Sequence, residues 1–145
     1  MKTIITTLAF LLFVAFTNAQ ANLATNKDAS GTTITITVPV KSEKGEIIAA
    51  LYNEETFMKA APLQGATSEI KDGKALLTFQ NVTPGTYGIT LFHDTNGNQQ
   101  MDFEPNGMPK ENYGVSNNVM SFGPPQWKDA KFEVTAEPIE MEIIM

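Results

Sequence analysis

Strict alternation of apolar and polar side chains marks the first readable element of the chain. From Thr33 to Val40, the residues Ile34, Ile36, Val38 and Val40 fall on one face and threonines on the other, a two-residue period that predicts a half-buried strand. Pro39 lacks a backbone donor, which places it at an edge or a strand end. After the turn at Lys44-Gly45, Ile47 to Tyr52 reads as a second strand, and Asn53 to Met58 as a short capped helical turn. Asp72-Gly73 is a two-residue hairpin signal joining a weak strand near Thr67 to Ile70 with a firm one, Ala75 to Gln80. Pro84-Gly85 predicts a type II turn with the glycine at positive φ. Thr86 to His93 follows, with Tyr87, Ile89, Leu91 and His93 inward and Thr86, Gly88, Thr90 and Phe92 on the opposite face. Lys131 to Thr135 and Ile139 to Met145 close the series. About seven short strands with turns between them predict an all-β domain over residues 32–145, an antiparallel β-sandwich.

Between Asp94 and Gln126 the alternation fails, which predicts a long irregular loop at one end of the sandwich. Phe103, Met108, Tyr113, Val115, Phe122 and Trp127 give this stretch or its border too much apolar surface for a solvated linker. Ordering each backbone residue costs roughly 1–2 kcal/mol, whereas a cation site filled at about ten times its Kd returns only about 1.4 kcal/mol. A metal alone therefore cannot order the loop; its aromatic side chains must pack on the sandwich.

The N-terminus changes the expected compartment. Lys2 precedes an apolar run from Leu8 to Phe16 and then Thr17-Asn18-Ala19-Gln20-Ala21, the pattern of a secretory signal peptide over residues 1–21 cleaved after Ala19 or Ala21. The run is too short to span a bilayer. Residues 22–31 read as a flexible segment, and the product is expected to be periplasmic or secreted. Cysteine is absent, so packing and possible metal binding hold the mature domain together. The formal charge is −6, and loss of Lys2 leaves 9 basic against 16 acidic residues, or −7. Nucleic acid is excluded as a partner on this balance.

The candidate chemistry lies in Asp94-Thr95-Asn96-Gly97-Asn98-Gln99-Gln100-Met101-Asp102. Oxygen-bearing side chains recur at Asp94, Asn96, Asn98, Gln100 and Asp102, the spacing with which a loop wraps Ca²⁺. Asn96-Gly97 is also a favoured tight-hairpin pair. That hairpin would set Leu91 opposite Asp102 and Ile89 opposite Glu104, turning two carboxylates toward the core, so the cation loop is the expected reading. It departs from a helix-loop-helix calcium site, since the glycine is Gly97 and the twelfth position is Pro105. Glu104 or Glu111 is then the candidate for the missing anionic ligand.

His93, the only histidine, adjoins Asp94, and with neighbouring carboxylates it is raw material for acid-base chemistry. A single histidine supports zinc poorly. Ser116 and Ser121 are the nearest serines, without a nucleophile elbow around either. A hydrolase is therefore the alternative to a binding or structural module, in which His93 orients the loop. Tyr113, Phe122 and Trp127, with His93, are candidate ligand-binding residues for a glycan or an envelope protein; loop packing is the competing role.

Phe79-Gln80-Asn81-Val82-Thr83-Pro84-Gly85-Thr86-Tyr87, then His93-Asp94-Thr95-Asn96-Gly97-Asn98 with Asp102, then Gly107 to Asn117, resembles the bacterial family known as domain of unknown function 2141. The resemblance spans nearly the whole mature chain, including Phe122-Gly123-Pro124-Pro125 and Ala130-Lys131-Phe132. It implies export and a prealbumin-like sandwich, and it brings no established activity.

Overall fold

A computed structural model describes residues 31–119 and 121–145. The expected signal peptide, 1–21, and all but Gly31 of the expected segment 22–31 lie outside them. Among the described residues eight strands form two sheets: β1 (Thr32–Pro39), β2 (Glu46–Tyr52), β3 (Gln64–Glu69), β4 (Lys74–Val82), β5 (Gly85–Asp94), β6 (Tyr113–Val115), β7 (Phe132–Val134) and β8 (Ile139–Glu142). One sheet has the order β4-β1-β8. The other runs β3-β2-β5-β6, with β7 paired to the first residues of β5.

The alternation that predicts the strands also builds the core. Ile34, Ile36 and Val38 of β1 and Ala75, Leu77 and Phe79 of β4 meet Ile47, Ala49 and Leu51 of β2 and Ile89 and Leu91 of β5 between the sheets. Each of these residues is at most 1% exposed, so the sandwich closes without disulfides. Tyr87 packs at the margin of this core. Its hydroxyl donates to the Thr83 carbonyl at 2.9 Å and so pins the chain as it passes from β4 to β5.

Three features depart from the expected plan. First, β8 pairs parallel to β1, Ile34 with Ile139 through Thr37 with Glu142, so the sandwich is not purely antiparallel. The chain reaches β8 from β7, which lies against Gly85 to Tyr87. It therefore enters the other sheet near the start of β1 and runs the same way. Second, Asp72-Gly73 makes the expected turn, with φ of 53° and 72°, yet its arms share only the Lys71 to Lys74 bridge before parting into different sheets. Third, Gly85 does not take positive φ. The left-handed residue is Asn81, at φ 55°, where β4 carries one extra residue between its pairings with Thr32 and Ile34.

Asn53 to Met58 forms the expected capped turn: Thr56 N–H donates to Asn53 Oδ1 at 3.0 Å and Asn53 N–H to Thr56 Oγ1 at 3.2 Å. The irregular stretch contains β6, missed by the period analysis, and a small hairpin bridged at Phe103 and Pro109. Just beyond its C-terminal border lies one helical turn, α1 (Trp127–Ala130), which the period analysis also missed.

Lys44-Gly45 docks on the end of β5. Gly45 has φ +80°, and a Cβ there would lie 2.1 Å from the Asp94 carbonyl oxygen. Gly45→Ala combines left-handed strain with a backbone collision, and a loss of at least about 2 kcal/mol is expected from urea unfolding.

Candidate functional site

The last pair of the β2 and β5 ladder is Glu46 with Asp94, and beyond it the chain turns into the candidate loop. Asp94 is fully buried. Its Oδ1 accepts the Gly97 N–H and its Oδ2 the Gln99 N–H, both at 2.7 Å. Burial by itself raises the Asp94 carboxyl, but donors from the backbone of Gln99, Gly97, Asn96 and Asn98 outweigh it and hold the group below its ordinary value of 3.8.

Glu111, also buried, closes the loop from its far side. One carboxylate oxygen accepts the Thr95 N–H at 3.1 Å and the other the Asp102 N–H at 3.3 Å. Asp102 faces two amides. Asn96 Nδ2 donates to it at 2.6 Å, and Asn98 Nδ2 donates to both of its oxygens at 3.1 and 3.2 Å. The amide oxygens of Asn96 and Asn98 in turn accept the N–H groups of Asn98 and Gln100.

Thus Asp94, Asn96, Asn98, Asp102 and Glu111 are drawn into one hydrogen-bonded loop. Gln100 and Glu104 are exposed, and their side chains make no hydrogen bond among the described residues. Glu104 contributes its backbone instead, pairing with Met108 at 2.7 Å. Among the described residues no three His, Asp or Glu side chains gather in a way that could hold a metal. Any cation here would therefore rely on amide and backbone oxygens beside the carboxylates.

His93 is buried, and its Nε2–H donates to the Lys44 carbonyl at 2.6 Å. Its backbone N–H donates to Asn112. The residue thereby ties the β1–β2 turn and the returning loop to the end of β5. Ser116 is buried with its hydroxyl accepting from Ile89 N–H and donating to the Ala130 carbonyl. Tyr113 and Phe122 line a cleft of about 920 Å³ on the outer face of the second sheet. Trp127 does not; it packs with Phe57, at a centroid distance of 5.5 Å, over Gly88.

Two sets of residues escaped the sequence reading. Asn117 and Asn118 both have left-handed φ. Asn117 Nδ2 donates to the carbonyls of Asp129 and Lys131, while Asn118 bonds the Glu142 carbonyl and the Ile144 N–H. With Ser116 they clamp α1 and the C-terminal segment, a role with no periodic signature. The cleft was also missed, although Ile48, Ala50 and Phe92 on the nominally outward face of β2 and β5 were a usable signal for it.

Fold and loop together define a small β-sandwich class in architecture: two sheets with an acidic, internally bonded loop at the end of β5. The chain belongs to the family described as an uncharacterized protein conserved in bacteria, domain of unknown function 2141, whose model matches residues 34–142. No curated protein and no solved structure matches it.

Because the folded Asp94 carboxyl is held low, its stabilisation is fully present above its ordinary value and fades as pH falls through the folded one. Asp94→Asn is expected to lower the urea midpoint at pH 7 and to narrow the difference between pH 7 and pH 3. An unchanged difference would remove Asp94 from the acid response.

Proposed function

We propose that the protein is an exported binding or structural module of the cell envelope whose Asp94–Asp102 loop takes up a Ca²⁺-type cation. The observation that carries the reading is the negative charge of this loop, which hydrogen bonds meet and no ion pair among the described residues balances. Asp94, Asp102, Glu104 and Glu111 lie along it, yet among the described residues the only ion pair is the exposed Lys71 with Glu69. A hard divalent ion is the chemistry that suits an all-oxygen set of this kind.

The donor set fits such an ion in kind. Asp94 and Asp102 would supply charge, with Asn96 and Asn98 turning amide oxygens toward it, and Glu111 would keep the loop closed behind them. Each carboxylate oxygen retains a lone pair after accepting one N–H, so the hydrogen bonds of Asp94 do not preclude ligation. At present the Asn96 and Asn98 amide N–H groups supply the positive polarity that Asp102 faces. An ion would take over that part and tighten the loop. Export is supported by the leader-like residues 1–21. A hydrolase draws no support from the geometry, since Ser116 is locked by backbone groups and the His93 ring is bonded to Lys44.

Thermal melts of the mature protein with chelator, Ca²⁺, Mg²⁺ or Zn²⁺ provide the test. Ca²⁺ at about ten times its Kd contributes about 1.4 kcal/mol, a rise in Tm of roughly 5 °C for a domain of this size. Asp102→Ala is expected to abolish that rise. Equal melting under all four conditions would overturn the cation reading.

A further inference from the structure

The outer face of the second sheet is apolar where a solvated face would be polar. Cross-strand neighbours Ile48 and Phe92, and Ala50 and Thr90, form its centre. The hairpin bridged at Phe103 and Pro109 rises along one side, carrying Met108. Phe122, Pro124 and Pro125 border another, and the open cleft between them measures about 920 Å³. Four of the eight large apolar residues exposed among the described ones, Met58, Phe103, Met108 and Phe122, border this one cleft. They are gathered rather than scattered, which marks a binding surface. The volume falls at the upper end of the roughly 300–1,000 Å³ usual for small-molecule sites.

We propose that this cleft binds one molecule of an uncharged, hydrocarbon-chain ligand of the long-chain alcohol type. The lining selects that class by charge and by hydrogen bonding. Among the described residues no lysine lines the cleft, and the only carboxylate side chain that does, Glu111, is buried with both oxygens already accepting backbone N–H groups. A ligand carboxylate or phosphate would enter without a cation and beside an anion. An extended peptide is also disfavoured. The floor is the face of paired strands, whose backbone groups are committed to the β2-β5 and β5-β6 ladders, so peptide amides would be buried without partners. The hydroxyl of an alcohol needs only one polar contact, and Thr90, Asn112 and Ser121 line the cleft as candidates. Met58, Met101 and Met108 supply adaptable apolar contacts for a chain without fixed shape.

Calorimetric titration of the mature protein with dodecan-1-ol, below its solubility limit, tests the proposal, with dodecanoate and an apolar decapeptide as comparators. Saturation at one alcohol per chain is expected, with dodecanoate at least tenfold weaker and the decapeptide silent. Ala50→Arg fills the floor, and Met108→Lys charges an exposed position on the wall that tolerates polarity in the free protein. Each is expected to weaken dodecan-1-ol at least tenfold with the melting temperature retained; if Ala50→Arg fails to fold, Met108→Lys alone decides. Absence of saturable binding, equal affinity for dodecanoate, or full binding by Met108→Lys overturns the site. So does sedimentation of the ligand-free protein as a dimer that Met108→Lys dissociates, which would make the face a contact between two copies. Co-sedimentation with neutral phosphatidylcholine vesicles without one-to-one alcohol binding would likewise overturn it in favour of a lipid surface.

Discussion

Backbone N–H groups must find acceptors where β5 stops pairing with β2, and two buried carboxylates meet that need. Asp94 receives the N–H groups of Gly97 and Gln99, and Glu111 those of Thr95 and Asp102. The carboxylates need these donors, because a buried carboxylate stays charged only when donors replace its water. The exchange gives the loop a defined path with no strand or helix in it. Everything downstream depends on that path. The Phe103–Pro109 hairpin, Glu111 and β6 follow directly from it, and they form a wall of the cleft on the outer sheet face.

The strands were legible because each buries one side only. Ile34, Ile36 and Val38 alternate with threonines, and Ala75, Leu77 and Phe79 alternate with exposed residues, so a period of two identifies both strand and inner face. Periodicity carries no direction, which is why the parallel pairing of β8 with β1 could not be read from it. Nor does it say which sheet an arm joins, and the Asp72-Gly73 turn connects two sheets through a signal typical of a plain hairpin. Strand β6 was invisible for a different reason. It is three residues long and centred on Gly114, where a Cβ would lie 2.7 Å from both Ile143 Cγ2 and the Ile144 carbonyl oxygen.

At the loop, the structure gives the residues singled out by oxygen spacing separate hydrogen-bonding tasks. Asp94 and Glu111 act inward on backbone, Asp102 acts on the Asn96 and Asn98 amides, and Gln100 and Glu104 stay in solvent. Sequence spacing cannot separate these tasks, because an oxygen that accepts an N–H and one that faces an ion occupy similar positions. The aromatic candidates divide in the same way. Tyr113 and Phe122 border open space, whereas Trp127 fills the hollow left by Gly88 against Phe57.

The position of β1 has a consequence for how the chain is made. It is the middle strand of its sheet, flanked by β4 and by β8, so β1 waits for a strand made about a hundred residues later before its second edge is covered. Until β8 arrives, a row of unpaired backbone groups on Ile34 to Thr37 is open to pairing with any other chain. Completion of this sheet is therefore a long-range event that requires β8 to have been made.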